Sequence, residues 1–145
     1  GHEGILKALL EQDRIDINAK DDYGGTPLWT AARRGLEGLV RLLVEQDRID
    51  INAKDNNGRT PLWTAAQGGH EGIVRLLVEQ DRIDINAKDN NGKTPLWTAA
   101  QGGHEGVVRL LVEQDSININ AKDNHGKTPL QVAARTGHEG VVRLL

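Results

Sequence analysis

The chain has 145 residues, a formal net charge of −3 and 27% charged side chains. The length suits one domain, and the near-balanced charge points neither to a strongly basic nucleic-acid binder nor to an acidic tail. Cys, Met and Phe are absent and the aromatics are three Trp and one Tyr, which excludes disulfides, thiolate metal sites and a thiol nucleophile and leaves a thin, regular core to Leu, Ile, Val and Ala.

No apolar run approaches the roughly 20 residues that cross a bilayer, so no membrane association is expected. The first residues, Gly1-His2-Glu3-Gly4, are not a signal peptide. With no Cys and no Asn-x-Ser/Thr acceptor, an intracellular, cytoplasmic setting is expected.

Internal periodicity organises the chain. Thr-Pro-Leu begins at Thr26, Thr60, Thr94 and Thr128, a constant spacing of 34. Gly-His-Glu-Gly begins at Gly1, Gly69, Gly103 and Gly137, with Gly-Leu-Glu-Gly at Gly35 in the same phase. The boundaries follow as a partial repeat over 1–23, full repeats over 24–57, 58–91 and 92–125, and a truncated repeat over 126–145, all in one domain. Adjacent full units differ at 5 of 34 positions, which excludes chance.

In chain order, the partial repeat offers a helix with apolar Ile5, Leu6, Leu9 and Leu10. Each later unit reads as a turn and a pair of helices, and 58–91 serves as the template. Thr60 is a good N-cap, and Pro61 suits the first helical position, where a missing N–H costs nothing. A short helix runs from Leu62 to Gln67, and Gly68-Gly69 ends it. A second helix is predicted from His70 to Gln80, with Ile73, Val74, Leu76 and Leu77 on its apolar face. Glu71, Arg75 and Glu79 lie four apart on its wet face, where Glu71 precedes Arg75 in the favourable direction. Ile83-Asp84-Ile85-Asn86 alternates as an extended segment does. In Asp89-Asn90-Asn91-Gly92, Asn-Gly favours a type I′ reversal and so a projecting hairpin. One such helix pair cannot bury its apolar stripe, whereas stacked copies form a continuous core. The Ala31-Ala32, Ala65-Ala66, Ala99-Ala100 and Ala133-Ala134 pairs let neighbouring helices approach closely.

These motifs resemble the ankyrin repeat family. The family pattern D-x-x-G-x-T-P-L-H-x-A-A-x-x-G-H, followed by an apolar helix and D-x-N-A, is matched by DNNGKTPLWTAA from Asp89 to Ala100, then QGGHEGVVRLLVEQ and ININA. The resemblance covers the whole chain and implies an all-α solenoid of stacked helix-turn-helix units with projecting β-hairpin loops. Trp29, Trp63 and Trp97 stand where the family has His, as does Gln131. The unit is 34 residues rather than the family's usual 33, so the loop after the second helix is expected to bulge by one residue. The high self-similarity and the Asp-Arg-Ile-Asp link are also similar to arrays in fungal receptor-like proteins.

The resemblance implies a non-enzymatic protein–protein interaction module that binds through its concave face, formed by hairpin tips and first helices. The residues support this separately. On a helical wheel Leu28, Ala31 and Ala32 share the core side, Thr30, Arg33 and Arg34 point away, and Trp29 flanks the two. Between units the outward pair changes from Arg33-Arg34 to Gln67-Gly68, Gln101-Gly102 and Arg135-Thr136. The hairpin pair changes from Asp22-Tyr23 to Asn56-Asn57, Asn90-Asn91 and Asn124-His125. After the hairpin Gly come Gly25, Arg59, Lys93 and Lys127. Thr-Pro-Leu and Ala-Ala do not change. Variation over a fixed frame suits recognition, although exposed positions also drift, as Arg82/Ser116 does in the link. The candidate contacts are Tyr23, Arg33, Arg34, Asn57, Arg59, Trp63, Gln67, Asn91, Lys93, Trp97, Gln101, His125, Lys127 and Arg135.

Trp63 and Trp97 carry two readings, packing between units or a partly exposed edge that anchors a partner. Arg59, Lys93 and Lys127 form a basic column suited to an acidic segment of a protein partner, folded or peptide. Asp21, Asp55, Asp89 and Asp123 at the hairpin starts offset it. No aromatic-interleaved basic motif indicates nucleic acid. His2, His70, His104 and His138 recur at the start of the second helix and lack the His-Glu-x-x-His zinc spacing. Ser116 is the only serine, and the repeated Glu71 and Glu105 have no pocket, so no catalytic residue, metal or cofactor is expected. Core-type residues at both ends suggest a piece of a longer array or multidomain protein, with end-to-end self-stacking of copies as a corollary. The competing reading is a consensus-like or engineered scaffold with no natural ligand.

Overall fold

The computed structural model describes residues 3–12 and 14–145. Gly1 and His2, the start of the first Gly-His-Glu-Gly motif, lie outside the described residues. Among the described residues there are nine helices and no strand. They run α1 (Glu3–Leu10), α2 (Pro27–Arg34), α3 (Glu37–Val44), α4 (Pro61–Gly68), α5 (Glu71–Val78), α6 (Pro95–Gly102), α7 (Glu105–Val112), α8 (Pro129–Thr136) and α9 (Glu139–Leu144). The first helices pack in series, α2 on α4 on α6 on α8, and the second helices do likewise from α1 to α9. Each first helix also packs on the second helix that follows it. This is the two-layer all-α solenoid that the motifs imply.

Local chemistry sets the first helix of each unit. In α4 the Thr60 hydroxyl accepts the Trp63 N–H at 3.1 Å, Pro61 stands at the first helical position and Gly69 closes the helix at φ +71°. That left-handed conformation strongly favours glycine. The second helix is shorter than the sequence predicts, because α5 stops at Val78. Gln80 lies beyond the helix and donates its side-chain amide to the Leu76 carbonyl at 3.1 Å, satisfying a terminal acceptor.

The core is the seam between the layers. Leu28, Leu62 and Leu96 are fully buried, as are Ala65, Ala66, Ala99 and Ala100, and each such Leu gains about 1.5–3 kcal/mol from burial. The outward placement of Thr on the helical wheel holds less well. Thr64 and Thr98 are 3% exposed, because the flanking first helices close over them, and the Thr64 hydroxyl donates to the Pro61 carbonyl at 3.0 Å. At the ends of the stack Ile5 and Leu130 are 62% and 43% exposed.

Polar side chains join the units where strands are lacking. In the predicted extended segment at Ile83–Asn86, Ile85 and Asn86 form a turn and Ile83 and Asp84 are irregular, with no strand. Asn52 donates its amide to the Arg82 carbonyl at 2.8 Å and accepts the Asp84 N–H at 2.9 Å. Asn18 bridges to Arg48 and Asp50, and Asn86 to Ser116 and Asn118, in the same way. Side-chain amides thus do what a backbone ladder would do, so the segment need not extend. Lys20, Lys54 and Lys88 reach forward to the carbonyls of Lys54, Lys88 and Lys122 at 2.8–3.0 Å.

The Gly-His-Glu-Gly motif is a second junction. The His104 and His138 rings donate Nε2–H to the Gln67 and Gln101 carbonyls at 2.8 and 2.9 Å, across to the first helix of the preceding unit. The Glu71 carboxylate leans over Gly106 in the first turn of α7, filling the space where a Cβ would stand. Glu105 leans over Gly140 and Glu37 over Gly72 in the same manner. A carboxylate is favourable near a helix N-terminus. The predicted Glu71–Arg75 pair is not formed, whereas Glu37 leans over Gly72 and also pairs with Arg41 at 3.1 Å, the one salt bridge among the described residues.

Candidate functional site

The hairpin turns and first helices form one face, here called the inner face. Each turn begins at an Asp. Asp89 Oδ1 accepts the Asn91 and Lys93 N–H groups at 3.0 and 2.8 Å, the Gly92 N–H returns to the Asp89 carbonyl at 3.0 Å, and the Asp89 N–H bonds the Lys93 carbonyl at 2.9 Å. Gly92 is left-handed at φ +79°, and no described non-glycine residue has positive φ. The reversal is therefore a turn over Asn90 and Asn91 with a left-handed Gly bulge after it, not the predicted type I′ turn, which needs positive φ at Asn91. The Asp carboxylate decides the outcome by holding the turn from inside.

Successive turns are joined along the stack. The N–H groups of Asn56, Asn90 and Asn124 donate to the carbonyls of Tyr23, Asn57 and Asn91 at 2.9–3.0 Å. Their side-chain amides donate to the carbonyls of Asp22, Asn56 and Asn90 at 3.0–3.2 Å.

Asp123 shows the cost and the compensation of such a turn. Burial acts to raise its pKa. The Lys127 and His125 N–H groups, aided by the charges of His125 and Lys93, nonetheless hold the carboxyl below the ordinary carboxylate value. Asp55, Asp89 and Asp123 are 8%, 7% and 9% exposed. They therefore act on the face mainly as turn anchors.

The tryptophans form the frame under the cations. Arg59 lies over the Trp63 ring at 4.6 Å and Lys93 over the Trp97 ring at 4.4 Å. In the first full unit Gly25 has no side chain to offer, and the Trp29 ring sits 2.7 Å from where its Cβ would be. Arg33, one helical turn later, covers that ring at 5.6 Å. A cation held on an aromatic face is favoured by about 0.5–2 kcal/mol, depending on desolvation. The Trp63 indole N–H donates to the Lys93 carbonyl at 3.1 Å, tying one unit to the next turn. The indole N–H groups of Trp29 and Trp97 are buried without an acceptor.

Tyr23, Arg33, Arg34, Asn57, Gln67, Asn91, Gln101, His125, Lys127 and Arg135 are all exposed on the turns and first helices, and Arg59 and Lys93 are half-buried. Trp63 and Trp97 are only 3% and 4% exposed. Neither presents the open ring edge that the anchor reading needs, because neighbouring units and the cations cover the rings. Their effect on the surface is to fix where the Arg59 and Lys93 charges stand.

Gln131 changes the surface in the last unit. Its side chain folds back on its own helix start, where Oε1 accepts the Thr128 N–H at 2.9 Å, while the Gln131 backbone N–H donates to the Thr128 hydroxyl at 3.2 Å. No ring then lies beneath Lys127. A groove of about 590 Å³ opens there, lined by Lys93, Trp97, Gln101, Asp123, His125, Lys127, Gln131, Val132, Arg135 and Thr136. Sequence reasoning noted the change from Trp to Gln but not the groove, nor Val132 and Thr136 in its wall.

A wider depression of about 710 Å³ lies on the opposite side, between α5 and α7. Glu71, Arg75, Glu79, Glu105, Arg109 and Glu113 line it. These side chains alternate in charge along two solvated helices and make no shaped pocket. Among the described residues no three His, Asp or Glu side chains are grouped to hold a metal, and no helix is long and apolar enough to cross a membrane.

Comparison with curated proteins finds no match. The family profile described as ankyrin repeats (3 copies) matches residues 1–89 and 81–145, which together take in the repeat word, its capped first helix and its turn along the full sequence, and the chain belongs to the ankyrin repeat family.

Proposed function

We propose that this chain is a non-enzymatic recognition module whose inner, concave face binds a protein partner through the hairpin tips and first helices. Ankyrin repeats in general serve protein interaction. The observation that carries the finer reading is where the units disagree. Arg33-Arg34, Gln67-Gly68, Gln101-Gly102 and Arg135-Thr136 are exposed at the ends of the first helices, while the Ala-Ala pairs beside them keep one sequence. Cations fixed on buried rings add pre-organised contact points to a frame with little freedom to rearrange, which lowers the ordering cost of binding.

The test is recovery of a partner by immobilised protein in two variants. One carries Arg33, Arg34, Arg59 and Lys93 changed to Ala. The other carries Arg75 and Arg109, on the opposite side, changed to Ala. Circular dichroism checks that both remain helical. The inner-face variant is expected to lose the partner and the outer variant to keep it. Equal recovery by both would remove the inner face as the site.

A further inference from the structure

The groove beside α8 is where the tryptophan ladder breaks, and it differs from every earlier interval. Between α4 and α6, Arg59 and Lys93 are each held over a ring, and the exposed helix positions are Gln67 and Gln101. Beside α8, Lys127 has no ring to cover, and Arg135 stands where the two preceding units carry Gln67 and Gln101. Lys93 stands at the near rim, so three cations converge on one concavity. The single carboxylate in the wall, Asp123, already accepts two backbone N–H groups at 2.8 and 2.9 Å. It anchors the turn and its charge acts on Lys93, which leaves Lys127 and Arg135 as the positive charge in excess of the groove's one carboxylate.

We propose that this groove seats a carboxylate side chain from an acidic segment of the protein partner, held among Lys93, Lys127 and Arg135 beside Val132. This rests on the inner-face reading above and names the chemistry that the face selects. A guanidinium and two ammonium groups around a half-enclosed space favour an anion. The groove, of about 590 Å³, has ample room for one side chain, and Val132 in its wall accepts the methylenes of Glu.

A single-stranded nucleic acid is the less favoured anion. Its bases need open aromatic faces on which to stack, and the rings of Trp29, Trp63 and Trp97 are at most 7% exposed, each under a cation.

The test uses the full chain and a short fluorescein-labelled peptide of alternating Glu and Ser, read by anisotropy at low salt. A Gln-for-Glu peptide and a single-stranded oligonucleotide of equal formal charge are run beside it. Lys127→Gln and Gln131→Trp are each expected to weaken peptide binding by about fivefold or more. Gln131→Trp keeps every charge and refills the groove with the ring that the other units carry, so it separates the concavity from mere electrostatics. Arg109→Gln, on the opposite side of the molecule, is expected to change binding less than about twofold. No preference for Glu over Gln, unchanged binding by folded Gln131→Trp, or tighter binding of the oligonucleotide would each overturn the proposal. Partner recovery by the four-residue inner-face variant is a separate measurement, so the groove can fail while the inner-face reading stands.

Discussion

At the scale of single residues, the most informative side chains are those that hold the surface up rather than those that form it. Asp123 is one of them. Its folded-state pKa lies below the ordinary value, so its contribution to stability is complete above the unfolded carboxyl pKa of about 4 and is lost as pH falls through the lower folded value. Asp123→Asn keeps an oxygen acceptor and removes the charge. The variant is expected to be about 1 kcal/mol less stable at neutral pH. Urea denaturation across a pH series checks this, with the two stability curves converging below about pH 4. Parallel curves down to the acid limit would show that the charge contributes nothing. Trp63 holds the surface up from beneath, by placing Arg59 and by bonding the Lys93 carbonyl of the next unit.

At the scale of elements, junctions between units are made by side chains that reach forward. Asn52 makes both of its bonds to the following unit, whereas Asn120 holds the same place in the last full unit, is exposed and makes no side-chain bond. Asn52→Ala is expected to cost about 1 kcal/mol, since both bonds are exposed, and Asn120→Ala to stay within about 0.5 kcal/mol. Thermal and urea unfolding of the pair check this, and equal losses would remove the ladder as a source of stability. The same contrast explains what the sequence revealed. The first helices were legible because Thr60, Pro61 and Gly69 act on their own backbone. Asn-Gly by itself predicts a type I′ turn, but Asp89 accepts the N–H groups of Asn91 and Lys93 and holds a different one. The extended reading of Ile83–Asn86 fails because Asn52 of the preceding unit accepts the Asp84 N–H while the Asp84 carboxylate accepts the Asn86 N–H two residues on. The helical wheel points Thr30 away from the core and Thr30 is half-buried, whereas its counterpart Thr64 is covered because α4 has neighbours on both flanks. The groove was out of reach because it depends on how Gln131 folds back over Thr128.

At the scale of the molecule, each helix pair touches only its neighbours, so stability is a sum of unit and junction terms. The middle units have a junction on each side, and the helices at the two ends do not. Amide hydrogen exchange is expected to be slowest in α4 to α7 and fastest in α1 and α9, with the slowest amides exchanging only on full unfolding. Protection of α9 equal to that of α6 would contradict nearest-neighbour additivity. The forward-reaching bonds carry one more consequence. Asn18, Asn52 and Asn86 all find acceptors 30 residues ahead, and Lys20, Lys54 and Lys88 all find theirs 34 ahead. A word of 34 residues inserted at any phase meets the same donors behind it and the same acceptors before it. An insertion of any other length sets every later amide opposite the wrong carbonyl. The length of this protein is therefore quantised, free to change by whole copies and resistant to change by anything less.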